Sequence, residues 1–272
     1  MGHGVKSHVI LVQEGSRSVV LKSMINEDSS EISYFFETAK KTNVYTKKEV
    51  AVSVRNALGA IMSADQINTE TVDKLTHHYF KECDSNHNGL LSYQEMAICW
   101  RLIYSEEYLF GVLLGTYKGI PQVYGTCGDV FAVQYAEEPI FQPLWNSFPL
   151  TPWATRAHMA IALLDVIEEF ETTPYGVLYL CDLQASNLAF QKQSDGSYKA
   201  YAIDMDISFF EGAMLSILQQ DMDKLKRCED DQKCSFFSCH SKCIEGKCSQ
   251  KLDTSNLQVS LYTYVQLYMT GM

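Results

Sequence analysis

The sequence predicts an α+β fold, because two hydrophobic periods share the chain and a polar, cysteine-rich segment follows them. Runs such as His8-Val9-Ile10-Leu11-Val12 read as strands, whereas Val72, Leu75, Tyr79 and Phe80 recur at helical spacing. Five of the nine cysteines crowd the segment from Cys228 to Cys248.

The elements follow in order. His8–Val12 and Ser18-Val19-Val20-Leu21-Lys22 form a hairpin around Glu14-Gly15-Ser16, and a charged link runs from Lys40 to Glu49. Two helices flank the stretch from Asp84 to Glu95, the second carrying Met96, Cys99, Leu102 and Ile103. A helix from Ser105 to Leu114 is broken at Gly119-Ile120-Pro121. Strands Gln122-Val123-Tyr124 and Val130–Tyr135 then turn at Gly125–Asp129. From Trp153 to Phe170 apolar residues occupy two stripes, which predicts a helix buried on most sides, ended by Pro174 and Gly176. Val177–Leu180, Leu188–Phe190 and Tyr198–Ile203 read as strands, the last two joined at Ser194-Asp195-Gly196-Ser197. No internal repeat stands out.

A content of 46% hydrophobic and 12% aromatic in 272 residues supplies one large core or two smaller ones. The 22 basic against 33 acidic residues give a net charge of -11, which repels phosphate backbones and argues against nucleic acid as a partner. No apolar window of about eighteen residues is present, and Met1-Gly2-His3-Gly4-Val5-Lys6 lacks a signal core. Neither a membrane span nor a secretory leader is expected from this chain.

The run Asp84-Ser85-Asn86-His87-Asn88-Gly89-Leu90-Leu91-Ser92-Tyr93-Gln94-Glu95 fills every position of a twelve-residue calcium loop. Asp84, Asn86, Asn88 and Ser92 offer side-chain oxygens, Leu90 a backbone carbonyl and Glu95 both carboxylate oxygens, while Gly89 allows the sharp turn. A plain polar turn would require neither Glu95 at its end nor an apolar Leu91 four residues earlier. Only one such loop is complete, so this EF-hand must lean on the rest of the fold or on another chain.

Cys228, Cys234, Cys239, Cys243 and Cys248 are irregularly spaced and contain no CxxC pair, which favours disulfides in a loop-rich segment over a zinc site with His240. An oxidising compartment is implied. The odd number leaves one thiol over or paired with Cys83, Cys99, Cys127 or Cys181. Cys181 by itself reads as a small buried residue.

Lys22, Asp182, Asn187 and Asp204 stand at strand ends or tight turns, where packing has no need of them. Their order and spacing resemble the protein-kinase set: a strand lysine, a catalytic-loop Asp with an Asn five residues on, a hairpin and a metal-binding Asp. The resemblance implies that Asp182 orients the attacking hydroxyl. It also implies that Asn187 and Asp204 hold magnesium or manganese on ATP, and that Lys22 neutralises phosphate charge. Glu107, or failing it Glu106, would hold that lysine; the sequence leaves both open.

Gly125-Thr126-Cys127-Gly128-Asp129-Val130-Phe131-Ala132-Val133, Leu178-Tyr179-Leu180-Cys181-Asp182-Leu183-Gln184-Ala185-Ser186-Asn187 and Ala202-Ile203-Asp204-Met205-Asp206 are similar to the divergent protein kinase domain 1 family. The resemblance covers roughly residues 8 to 260. It implies a two-lobed protein-kinase-like fold with an EF-hand inserted in the small lobe, membrane-anchored in the endoplasmic reticulum and facing the lumen. Five segments follow: the start of the small lobe at 1–50, the insertion at 51–104, the remaining small lobe at 105–137, the large lobe at 138–227 and the cysteine-rich segment at 228–272. Leu180-Cys181 and Asp204-Met205-Asp206 depart from ordinary kinases, the glycine-rich phosphate cover is missing, and a shortened form of the family protein is expected.

The function implied is ATP-dependent phosphoryl transfer to a luminal protein or glycan hydroxyl. The alternative is a pseudokinase, a calcium-binding scaffold without turnover. A dehalogenase-type phosphatase, suggested by Ile203-Asp204-Met205-Asp206, ranks last, because the remaining sequence offers no further strand ends for its other catalytic groups.

Overall fold

The computed structural model describes residues 6–15, 17–25, 44–136, 153–223 and 228–259. The expected turn residue Ser16, the first four residues of the link beginning at Lys40 and the last thirteen residues lie outside the described residues. Helices and strands are mixed throughout, and the chain divides into two compact units. Among the described residues the first takes those up to Gly59, Ile67–Thr116 and Pro121–Tyr135; the second takes Ala60–Gln66, Tyr117–Ile120 and those from Ala136 on.

In the first unit, β1 (Lys6–Glu14) and β2 (Arg17–Ile25) form the expected hairpin. A two-residue strand β3 (Val44–Tyr45) leads into helix α1 (Lys47–Ile61), where the sequence suggested only a polar link. Helix α2 (Thr69–Cys83) starts where the Asn68 side chain accepts from Thr71 N–H at 2.8 Å, satisfying a donor that the first turn leaves over. After the loop come β4 (Leu91–Ser92) and α3 (Tyr93–Ile103), then α4 (Glu106–Leu113), capped by Ser105. Strands β5 (Val123–Cys127) and β6 (Val130–Gln134) complete an antiparallel sheet of order β1-β2-β6-β5. Their turn is tighter than expected: only Gly128 and Asp129 intervene, with Gly128 at φ +65°, a conformation glycine adopts without strain.

Both helices beside the loop are tied to that hairpin. Thr126 Oγ1 donates to Glu82 of α2 at 2.8 Å, and Arg101 of α3 pairs with Asp129 at 2.8 Å. Beneath them Tyr79, Leu75, Leu91, Met96, Tyr108 and Phe131 are buried in the core.

The second unit contains helix α5 (Trp153–Glu171), strand β7 (Leu178–Leu180), the hairpin β8 (Leu188–Lys192) and β9 (Tyr198–Ala202), strand β10 (Ser208–Phe210) and helix α6 (Glu211–Asp223). Strand β10 pairs antiparallel with β7, a pairing the sequence did not announce. The expectation for α5 needs correction. Met159, Leu163, Val166 and Phe170 are buried, but of the other stripe only Ile167 is, with Trp153 and Leu164 exposed, so the helix buries one stripe fully and the other only in part.

The cysteine-rich segment is a sheet rather than loops. Strands β11 (Ser235–Phe236), β12 (Cys239–Ile244) and β13 (Lys247–Leu252) pair in order, and Glu245 and Gly246 turn the last hairpin at φ 52° and 78°. Three disulfides join Cys181–Cys239, Cys228–Cys243 and Cys234–Cys248. Cys181 is buried, as expected, but it is not alone: of the four cysteines left open as partners for the crowded five, it is the one bonded. Its disulfide lies in a core with Phe209, Met214, Leu218 and Leu252, which joins the cysteine-rich sheet to β7, β10 and α6. No helix among the described residues is long and apolar enough to cross a membrane.

Candidate active site

In the first unit the polar groups meet on the sheet. Lys22 lies on β2 directly opposite Phe131 of β6, so both side chains leave the same face. Its ammonium donates to Glu107 Oε1, and the two side chains are only 12% and 16% exposed, which shields the pair from water and strengthens its attraction. The adjacent Tyr108 ring lies 5.2 Å from Phe131, placing an aromatic floor beside the ion pair. Geometry therefore separates the neighbours that sequence left open: the lysine contact is made by Glu107.

In the second unit a single turn organises the other three groups. After β7 the chain closes through Gln184 N–H to Asp182 C=O at 2.9 Å and Asn187 N–H to Gln184 C=O at 3.0 Å. The Asn187 amide donates to the Asp182 carbonyl at 2.8 Å and to its carboxylate Oδ2 at 3.2 Å; Gln184 Nε2 donates to Oδ1 at 2.5 Å. With its nitrogen engaged, Asn187 keeps Oδ1 as an acceptor, reached by the Ser186 hydroxyl at 3.1 Å. The β8–β9 register carries Ile203 back so that its N–H donates to Asn187 C=O at 2.9 Å. Asp204 follows, exposed, while Met205 points inward with 1% exposure. Asp182, Asn187 and Asp204 thus belong to one turn and the hairpin beside it.

The supports of this turn were only partly legible in the sequence, which left Cys181 as one of four possible partners for the odd cysteine. Cys181, immediately before Asp182, is bonded to Cys239, and Ser238 donates through both its N–H and its hydroxyl to Cys181 C=O. The fully buried Asn256 side chain accepts from Leu180 N–H at 3.0 Å and donates to Leu178 C=O at 2.7 Å. A cysteine beside a candidate catalytic Asp in a cysteine-rich chain was the available signal for the disulfide. Nothing in the sequence singled out Asn256.

The loop at 84–95 is wrapped around its two acids. Asp84 accepts from the backbone N–H of Asn88 at 3.1 Å and Gly89 at 2.9 Å, and the Asn88 side chain accepts from Leu90 N–H at 2.9 Å. Glu95 accepts from Ser85 N–H and Asn86 Nδ2 at 3.1 Å, from the Ser85 hydroxyl and from Ser92 N–H at 2.8 Å. The Ser85 hydroxyl above all, then Ser92, holds the Glu95 carboxyl at a pKa of about 2 against the opposing effect of burial. His87 and Gly89 both adopt positive φ, at 53° and 79°. The donor set is oxygen throughout, which fits calcium: two carboxylates, two amide oxygens, a hydroxyl and the Leu90 carbonyl. Asn187 Oδ1 and the Asp204 carboxylate are likewise hard donors suited to magnesium or manganese.

The family model described as the protein-kinase domain of FAM69 matches residues 99–261. The matched stretch contains Glu107, Asp182, Asn187, Asp204 and the five cysteines from Cys228 to Cys248; Lys22 and the loop at 84–95 precede it. No solved structure matches the chain.

Proposed function

Because the chain belongs to the FAM69 family of divergent kinase-like proteins, we propose that it transfers phosphate from ATP to a protein or glycan hydroxyl in the lumen of the endoplasmic reticulum, within a two-lobed kinase-like fold. The observation that carries this reading is the turn in which the Asn187 amide grips Asp182 while Ile203, just past β9, bonds to Asn187 and leaves Asp204 next in the chain. One short segment supplies an acid for the acceptor hydroxyl and two oxygen donors for a divalent cation. The three disulfides are compatible with a secretory-pathway protein.

In this reading Asp182 orients the acceptor hydroxyl and takes its proton as the new oxygen–phosphorus bond forms and the bond to ADP breaks. Asn187 and Asp204 would hold magnesium or manganese, and Lys22, aligned by Glu107, balances phosphate charge. Metal-bound ATP supplies an activated phosphoryl group. Asp84, Asn86, Asn88, Leu90, Ser92 and Glu95 would hold one calcium ion in an EF-hand, with dissociation on the order of 10⁻⁴–10⁻³ M, suited to a calcium-rich lumen.

A second reading, a calcium-binding pseudokinase scaffold, draws on the same turn. Both carboxylate oxygens of Asp182 carry side-chain amide donors, which compete with an incoming hydroxyl. The readings separate in one experiment. Magnesium or manganese with ATP should raise the melting temperature of the wild type and leave Asp204→Ala unmoved, since that variant lacks the metal's carboxylate. Asp182→Ala should retain the shift while phosphate transfer falls by about 10²–10⁴-fold, the usual contribution of a positioned general base. A nucleotide shift with no transfer by any form favours the scaffold; no shift at all removes the kinase reading.

A further inference from the structure

The loop at 84–95 is not solitary. Strand β4 pairs antiparallel with β3, Leu91 opposite Tyr45 and Ser92 opposite Val44. The two sequences match: Val44-Tyr45-Thr46-Lys47-Lys48-Glu49 and Leu90-Leu91-Ser92-Tyr93-Gln94-Glu95 share the order apolar, apolar, hydroxyl, two variable residues, Glu. Each run opens a helix. Thr46 N–H donates to Glu49 Oε2 at 2.8 Å, as Ser92 N–H does to Glu95 Oε2 at 2.8 Å. Burial keeps step as well. Tyr45, Val50, Ser53 and Val54 are buried on one side of the ladder, and Leu91, Met96, Cys99 and Trp100 at the corresponding places on the other. A short internal repeat therefore exists where the sequence suggested none.

The halves differ in their acids. Glu95 is buried in the loop, whereas Glu49 is exposed. In the residues preceding the repeat, Thr38 and Lys40 stand where the calcium loop has Asp84 and Asn86. A hydroxyl and an ammonium there disfavour a second ion.

We propose that β3 and the first turn of α1 are the metal-free half of a paired hand, in which Tyr45, Thr46 and Glu49 position the calcium loop. The proposal rests on the calcium reading given above. Its physical content is the ladder. Leu91 lies between Leu90, which offers a carbonyl ligand, and Ser92, which offers a hydroxyl, so pairing with Tyr45 fixes the backbone that delivers both. The Thr46–Glu49 cap fixes the start of α1 and with it the strand that grips Leu91. Thr46 and Glu49 touch no ion themselves.

Calorimetric titration of the full chain with calcium chloride tests this. The wild type should bind one ion. Glu49→Ala and Thr46→Ala should bind one ion about 2- to 30-fold more weakly, the worth of a lost helix cap transmitted to the loop, and Thr46→Ser should restore wild-type affinity. A cap that serves α1 alone would lower the melting temperatures of calcium-free and calcium-loaded protein equally and leave affinity unchanged; that result overturns the proposal. Two ions per chain also overturns it, while Glu95→Gln still abolishing binding would leave the calcium reading standing. A wild type that binds no calcium removes both.

Discussion

His78 shows how one residue makes stability depend on pH. It sits half-buried on α2, its Nε2 sharing a 2.9 Å hydrogen bond with the Tyr108 hydroxyl, one residue beyond the acid that holds Lys22. Burial lowers its pKa from 6.5, with Lys81 and His77 acting in the same direction and Glu82 opposing. The unfolded chain therefore takes up the proton first. Stability should be insensitive to this group above about pH 7.5, fall as pH drops through about 6.5, and level off once the folded pKa is passed. Denaturant midpoints between about pH 8 and 5 should slope less for His78→Gln than for the wild type; equal slopes would remove His78 as the cause. At this scale the sequence exposed candidate groups better than contacts. Asp182, Asn187 and Asp204 were visible because they interrupt apolar strand ends, but Glu106 and Glu107 were indistinguishable, since only the rotation of α4 decides which acid faces β2.

Strand β7 is the element on which the candidate chemistry depends, and it is held from the cysteine-rich sheet. Asn256→Ala would leave Leu180 N–H and Leu178 C=O buried without that partner, at a cost of about 2–5 kcal/mol. Cys239→Ser would open the Cys181 loop and cost about 4 kcal/mol by releasing a long unfolded segment. Both should appear in denaturant unfolding of the second unit, and midpoints unchanged in both would show that β7 stands without its clamp. Hydrophobic alternation made β1, β2, β8 and β9 legible. The cysteine-rich strands were not, for a physical reason: in β12 the inward positions are Cys239 and Ser241, separated by exposed His240, so the period is present without the usual apolar residues. Strand β3 escaped notice because two residues are too few to show a period.

Across the whole molecule, the nine cysteines divide into three bonded pairs and three free thiols, Cys83, Cys99 and Cys127. Alkylation of denatured, unreduced protein should add three groups, and reduction beforehand should raise this to nine. Stoichiometric zinc with five free thiols in the cysteine-rich segment would contradict that division. Two of the disulfides are local, spanning 15 and 14 residues, whereas Cys181 lies 58 residues from Cys239. That difference has a consequence for the order of events during synthesis. A ribosome delivers the chain from its N-terminus, and a contact of high sequence separation must wait for its later member. The turn bearing Asp182 therefore emerges before the residues that hold its strand, and during that interval Cys181 is an unpaired thiol exposed to mismatched partners. The nascent second unit would depend on disulfide exchange until Cys239 arrives, and its strand β7 would gain the Asn256 clamp only after all the cysteines have emerged.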